Sequence, residues 1–132
     1  MATAGAQDPT TAGPVVALDA QTTDWAPHPF APGLDQATLL SHRDHGAAAT
    51  VYLYRVRELA GPEADDVPLH QHDDCDDISY VLEGSARIDI EGHGTVVLEA
   101  GSFVRVPAGT KHRVYGVSAD FRAINIFAPP RD

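Results

Sequence analysis

From residue 35 onward, apolar residues recur at every second position in short runs, and turn-forming residues separate the runs. SARIDIE is the clearest case. Ala86, Ile88 and Ile90 fall on one side, while Ser85, Arg87, Asp89 and Glu91 fall on the other, the period of a half-buried strand. ATVYLYRVR is rich in β-branched and aromatic residues and predicts another strand. QATLLS, VPLHQH, ISYVLEG, TVVLE, SFVRVP, HRVYG and FRAINIF extend the series, punctuated by Gly61-Pro62 and by Gly92-His93-Gly94. No segment sustains a helical period. About nine or ten short strands with turns every 8–12 residues predict an antiparallel all-β domain, a sandwich or a closed barrel.

The first third of the chain reads differently. Residues 1–13 offer almost nothing to bury and are expected to form a flexible tail before a single domain over 14–132. DWAPHPFAPG, residues 24–33, carries three prolines and is no helix interior. Trp25 and Phe30 are expected to pin it to the body as an extended arm, and the apolar piece Val15–Leu18 to add a strand to its own sheet or to a partner's.

Composition narrows the class of partner. The chain has 132 residues, 43% of them hydrophobic, which suits one soluble globule with its own core. Its formal net charge is −10, and residues 1–42 contain no Lys or Arg. Without clustered cations, neither nucleic acid nor an anionic membrane surface is an expected partner. One cysteine excludes an internal disulfide. The first twenty residues lack the basic start and apolar core of a signal peptide, and no stretch reaches membrane-spanning length. The expectation is a cytoplasmic protein.

Candidate chemistry gathers in LHQHDDCDDISYVLEG, residues 69–84. His70 and His72 are two apart on a predicted strand, so both side chains face the same way, as a metal requires of an H-x-H pair. Further on, GSFVRVPAGTKH turns at Gly101, ends a strand at Pro107, turns again at Gly109 and opens a strand at His112. In order, the spacings are H-x-H, four residues, Asp77, six residues, Gly84, and then G-x5-P-x-G-x2-H.

This arrangement resembles the cupin superfamily, whose motifs are G-x5-H-x-H-x3–4-E-x6-G and G-x5-P-x-G-x2-H-x3-N. The resemblance covers about residues 35–128, with sixteen residues between Gly84 and Gly101. It implies a double-stranded β-helix, a jelly-roll barrel of two antiparallel sheets, with one metal inside. Carried over by position, His70, His72 and His112 match the three histidines, and Asp77 falls where the family has glutamate. The chain departs in having Ala64 at the opening glycine, Gly116 at the final asparagine, and an aspartate one methylene shorter than the family's carboxylate. Asp76 competes with Asp77, but strand alternation points it to the other face. Asp73, Asp74 and Cys75 read as loop.

Three imidazoles and a carboxylate suit a divalent transition metal, with Fe(II) favoured and Mn(II), Zn(II), Ni(II), Co(II) or Cu(II) also compatible. The resemblance implies a metal-dependent enzyme acting on a small chelating molecule, dioxygenase-like first, with lyase, isomerase or cyclase chemistry or a non-catalytic binding module as alternatives. Tyr54, Tyr80 and Arg55 are the candidate catalytic residues, and Tyr52, Tyr115 and Asn125 could also face the cavity. His28, His42, His45 and His93 lie outside the pattern and are expected at surface or turn positions. The resemblance also implies a homodimer paired through an outer sheet.

Overall fold

In the computed structural model, residues 13–62 and 64–132 are described; the tail expected over 1–13 lies, apart from Gly13, outside them. Ten strands and one short helix follow in order: β1 Ala26–Pro27, β2 Leu34–Leu40, α1 His42–His45, β3 Thr50–Val56, β4 Asp65–His70, β5 Asp76–Glu83, β6 Ser85–Ile90, β7 Gly94–Glu99, β8 Phe103–Val106, β9 His112–Tyr115 and β10 Arg122–Ala128. They form a six-stranded sheet, β1-β2-β3-β10-β5-β8, and a four-stranded sheet, β4-β9-β6-β7. Every pairing is antiparallel. The two sheets face one another as the predicted jelly roll.

Register explains where the core ends and the site begins. β5 and β10 pair Asp77 with Phe127, Ser79 with Asn125 and Val81 with Ala123. Directly opposed residues share a face, so one inward row runs from polar to apolar along the sheet. At the apolar end Val81 and Ala123 meet Ala86, Ile88, Leu98, Val106 and Phe121 in a single buried cluster. Full burial of a side chain such as Val81 or Val106 contributes roughly 1.5–3 kcal/mol. At the polar end the same strands present Asp77 and Asn125 to the interior.

Gly84 makes the tight passage from β5 to β6. Its φ is +74°, and a Cβ there would lie 2.4 Å from Ser118 Oγ and 2.8 Å from Phe121 Cα. Only glycine fits that backbone and that space. The spacing from Asp77 to Gly84 therefore has a physical reason: it counts the residues of one strand from the site to its turn.

Three details differ from the expected pattern. A single helical turn, α1, follows β2: Ser41 Oγ accepts from the Asp44 N–H at 3.1 Å, and Gly46 at φ +67° ends it. Four residues are too few to show a helical period in the sequence. Val15–Leu18 forms no strand in the chain's own sheets, and Val15 is 96% exposed. The proline-rich arm is extended as expected, pairing through β1 with β2. Trp25 lies beneath the Arg55 guanidinium at 4.0 Å from its ring.

Candidate metal centre

Four side chains from three parts of the chain converge inside the barrel. His70 ends β4, His72 follows it in the loop, Asp77 is the second residue of β5 and His112 begins β9. β4 and β9 pair His70 directly with His112. His72 lies beyond the strand on which it was predicted. Its carbonyl accepts the Gly109 N–H at 2.7 Å, and this ties the H-x-H segment to the turn of the second motif. One potential ligand atom from each of His70, His72, Asp77 and His112 lies within 4.8 Å of all the others.

Their protonation is set by backbone carbonyls, which only accept. His70 Nδ1 meets Pro68 O at 2.7 Å and His112 Nδ1 meets Thr110 O at 2.9 Å, so both protons sit on Nδ1. That leaves each Nε2 as the inward atom, the tautomer of a metal-binding histidine held by an outer hydrogen bond. His70 titrates below the usual imidazole range, chiefly because burial disfavours the cation.

Asp77 is the focus of the cluster. Its Oδ2 lies 3.0 Å from His112 Nε2 and 3.3 Å from His72 Nε2. Its Oδ1 accepts from Asn125 Nδ2 at 2.8 Å. Burial alone would raise this carboxyl's pKa. The hydrogen bond from His112, the close approach of His72 and the positive charge drawn onto His112 outweigh it, so Asp77 stays ionised well below the usual carboxylate range. For His112, burial lowers the pKa and the contact with Asp77 more than reverses this.

The donor set fits a cation. His72 Nε2 is buried, and its 3.3 Å approach to Asp77 lacks the geometry of a hydrogen bond, so it has no partner. With Nδ1 already donating, His112 Nε2 faces Asp77 favourably only if doubly protonated. A divalent ion among them resolves both conflicts. Ligands about 2.0–2.2 Å from an ion lie about 3 Å apart when adjacent and about 4.2 Å apart when opposite. The two separations from Asp77 Oδ2, 3.0 Å to His112 and 3.3 Å to His72, are close to the adjacent spacing, so the aspartate's shorter arm still places an oxygen beside two of the imidazoles.

A cavity of about 130 Å3 opens above this cluster. Phe30, Tyr54, Phe127 and the valines of the core line it, with Ser79 and Asn125 as further polar groups. Tyr54 points in. Burial, with Asp77 nearby, raises its hydroxyl far above the usual phenol range, so it stays protonated.

Of the other expected cavity residues, all but Asn125 are placed elsewhere. Tyr80 pairs with Phe103 and Ile124 on the outer face of the large sheet and is 43% exposed. Alternation along β5 sends it away from Asp77, Ser79 and Val81. Arg55 also faces out, paired with Asp35 at 3.3 Å. Tyr115 donates to Asp89 outside the small sheet, and Tyr52 does not line the cavity. Asn125 does face in. Asp76 pairs with Arg105 at 2.9 Å on the outside, and Cys75 is a buried loop thiol. Three polar lining residues escaped the sequence reading: Ser79, Arg131, and His28, which was expected at a surface or turn.

A family model described as Cupin domain matches residues 57–127, more than half of the chain. An uncharacterised protein of Streptomyces coelicolor is 38% identical over 55 residues, covering 42% of this chain and 51% of its own. Quercetin 2,3-dioxygenase of Bacillus subtilis is 32% identical over 60 residues, 46% of this chain and 18% of that enzyme. The matches thus span about half or less of these relatives' lengths. Among solved structures, KdgF from Halomonas superposes with a TM-score of 0.68 at 23% identity, over 86% of this chain and 94% of that one. That likeness is one of fold.

Proposed function

The chain belongs to the cupin family, and on that premise we propose that it is a small metal-dependent enzyme. Its His70, His72, Asp77 and His112 hold one divalent transition metal, Fe(II) first among the candidates, and its reaction is a dioxygenase-like oxidation of a small chelating molecule. The observation that carries this reading is the position of Asp77 Oδ2 against two imidazole nitrogens, one of which has no other partner. When bound, such an ion supplies Lewis acidity and one-electron chemistry to a substrate with two donor oxygens.

The protein's own groups prepare the site. Asn125 holds the Asp77 carboxylate in position, and Ser79 Oγ donates in turn to Asn125 Oδ1. The valine and phenylalanine walls keep bulk water from the cluster. Tyr54 contributes a hydroxyl that donates and does not accept a proton at neutral pH. Beyond the four clustered residues the lining's further imidazole is His28, whose Nδ1 is occupied by the Phe30 and Ala31 N–H groups, so the described lining offers no free general base. That favours oxidation over an isomerase or lyase reaction that needs proton abstraction, and the likeness to Quercetin 2,3-dioxygenase over 60 residues supports it. The same lack of a base supports a second reading, a module that binds metal and ligand without turnover.

Elemental analysis of the purified protein, followed by oxygen uptake with diketone, catechol and thiol substrates, separates the two. Oxygen consumption with one class establishes the oxidase. Iron loading with no turnover on any of them establishes the binding module. Failure to take up any metal after anaerobic reconstitution refutes both. We also take the protein to be a homodimer paired through the outer face of the large sheet, where Phe103 is 67% exposed beside Tyr80 and Leu82.

A further inference from the structure

His28 and Arg131 lie outside the matched family region, on opposite sides of it, and both line the cavity. Each is held by its own local structure. His28 Nδ1 accepts two backbone N–H groups, from Phe30 and from Ala31, each at 3.0 Å. A nitrogen that accepts twice carries no proton, so the ring is neutral and its proton sits on Nε2. The ring packs 5.2 Å from that of Tyr54, and Nε2 has no hydrogen-bond partner among the described residues. It is a fixed donor left for something in the cavity.

Arg131 is fixed from the other side. Its N–H donates to Thr50 Oγ1 at 3.2 Å. The next residue, Asp132, accepts from the His42 and Arg43 N–H groups at 3.1 and 3.2 Å and from the Thr50 hydroxyl. The Asp132 carboxylate is thereby engaged away from its neighbour. The Arg131 guanidinium lies 5.0 Å from the Phe127 ring, and none of the ion pairs among the described residues involves it. In a chain of net charge −10, a cation without a carboxylate partner at a cavity wall is a specific local reversal of charge.

We propose that Arg131 and His28 form a carboxylate-binding pair at the cavity wall, and that the substrate is a small organic acid whose apolar part lies among Phe30, Tyr54 and Phe127. A carboxylate has two oxygens, one for the guanidinium and one for the His28 Nε2–H. The unresponsive tautomer makes His28 a specificity residue rather than a base. Burial first, then the electrostatic influence of His70 and of the Arg131 cation, holds its pKa down at about 4, so it stays a neutral donor at pH 7. This rests on the reading of the cavity as a substrate site and names the substrate's class.

The test is calorimetric titration with benzoate and with its neutral isostere benzamide, on metal-free and on Zn(II)-loaded protein. Wild type should prefer benzoate by about tenfold, the value of one charge-assisted contact at a partly exposed site, with or without Zn(II). Arg131→Gln should lose the preference and Arg131→Lys retain part of it. Arg131→Met, which keeps an unbranched side chain without the charge, should behave as Arg131→Gln. His28→Phe should reduce the preference several-fold. Arg105→Gln, which removes a cation on the outer face, should leave it unchanged. A benzoate preference that survives in both Arg131→Gln and Arg131→Met overturns the proposal, as does its absence in wild type. A preference seen only with Zn(II) places the anion on the metal, which overturns the proposal and leaves the metal reading standing. A preference in protein that binds no Zn(II) does the reverse.

Discussion

Replacing Asp77 by asparagine removes one charge and keeps the shape of the side chain. In the metal-free protein the amide can satisfy its surroundings. Its oxygen accepts from Asn125 Nδ2, as Oδ1 does now at 2.8 Å, and its NH2 group donates to His112 Nε2, now 3.0 Å from Oδ2. A buried ion pair is thus replaced by a hydrogen-bonded neutral pair, which should change metal-free stability by no more than about 1 kcal/mol. Alanine at the same place leaves Asn125 Nδ2 and His112 Nε2 without a partner in a buried site, at a cost of about 3–5 kcal/mol. Metal affinity should follow a different order. Both variants lose the only carboxylate of the cluster, and a loss of about 3 kcal/mol or more corresponds to at least about a hundredfold weaker binding.

Two assays separate these effects: urea denaturation in the presence of a chelator, and anaerobic metal titration against a chromophoric competitor. Wild-type metal affinity in Asp77→Asn would refute the assignment of Asp77 as a ligand. Equal metal-free stability of Asp77→Ala and wild type would refute the ion pair. Asp76→Asn is the control, since Asp76 serves Arg105 on the outside, and it should bind metal as wild type does.

The pH dependence of the metal-free protein follows from the same pair. Asp77 is depressed in the folded state, so its contribution is complete above about pH 4 and is lost as pH falls through the folded value. His112 is raised, so its contribution is complete below about pH 6.5 and is lost as pH rises through the folded value. Chelated wild type should be most stabilised by the pair between those limits, and Asp77→Asn should lose that plateau. Gly84→Ala should destabilise the fold by about 3 kcal/mol or more, from left-handed strain plus overpacking against Ser118 and Phe121, read as a lower urea midpoint. Tyr54→Phe should lower turnover while Tyr80→Phe leaves it unchanged, since only Tyr54 reaches the cavity. Phe103→Glu should turn a dimer into a monomer by light scattering if the outer face is the interface. Asp132 should lose stabilising contacts in acid. Burial would raise its carboxyl, but hydrogen bonds from Thr50, His42 and Arg43 bring it to about 2, so its contribution is complete above about pH 4 and disappears as pH falls towards 2. A urea midpoint that falls between pH 4 and 2 in wild type and not in Asp132→Asn is the readout.

What the sequence made legible was whatever depends on counting along one strand. Period two placed Ala86, Ile88 and Ile90 in the core, and it sent Asp76 and Asp77 to opposite faces. The resemblance singled out Asp77 by its six residues before Gly84, and that spacing has a physical basis, since a strand of fixed rise ends at a turn that only glycine can make. Counting gives alternation but not its sense when the strand's neighbours are unknown. Tyr80 and Tyr54 looked alike for that reason, and only the pairing of β5 and β3 with β10 assigns one outward and one inward. His28 and Arg131 obey no local period at all. One sits in a proline-rich arm and the other after the last strand, and each reaches the cavity by folding over a barrel built from distant residues. This division has a chemical consequence. The matched region 57–127 contains all four residues of the candidate metal cluster, whereas the proposed carboxylate-binding pair, His28 and Arg131, comes from the flanks. Changing the flanks should therefore alter which molecule is accepted while leaving metal affinity unchanged, and changing Asp77 should do the opposite.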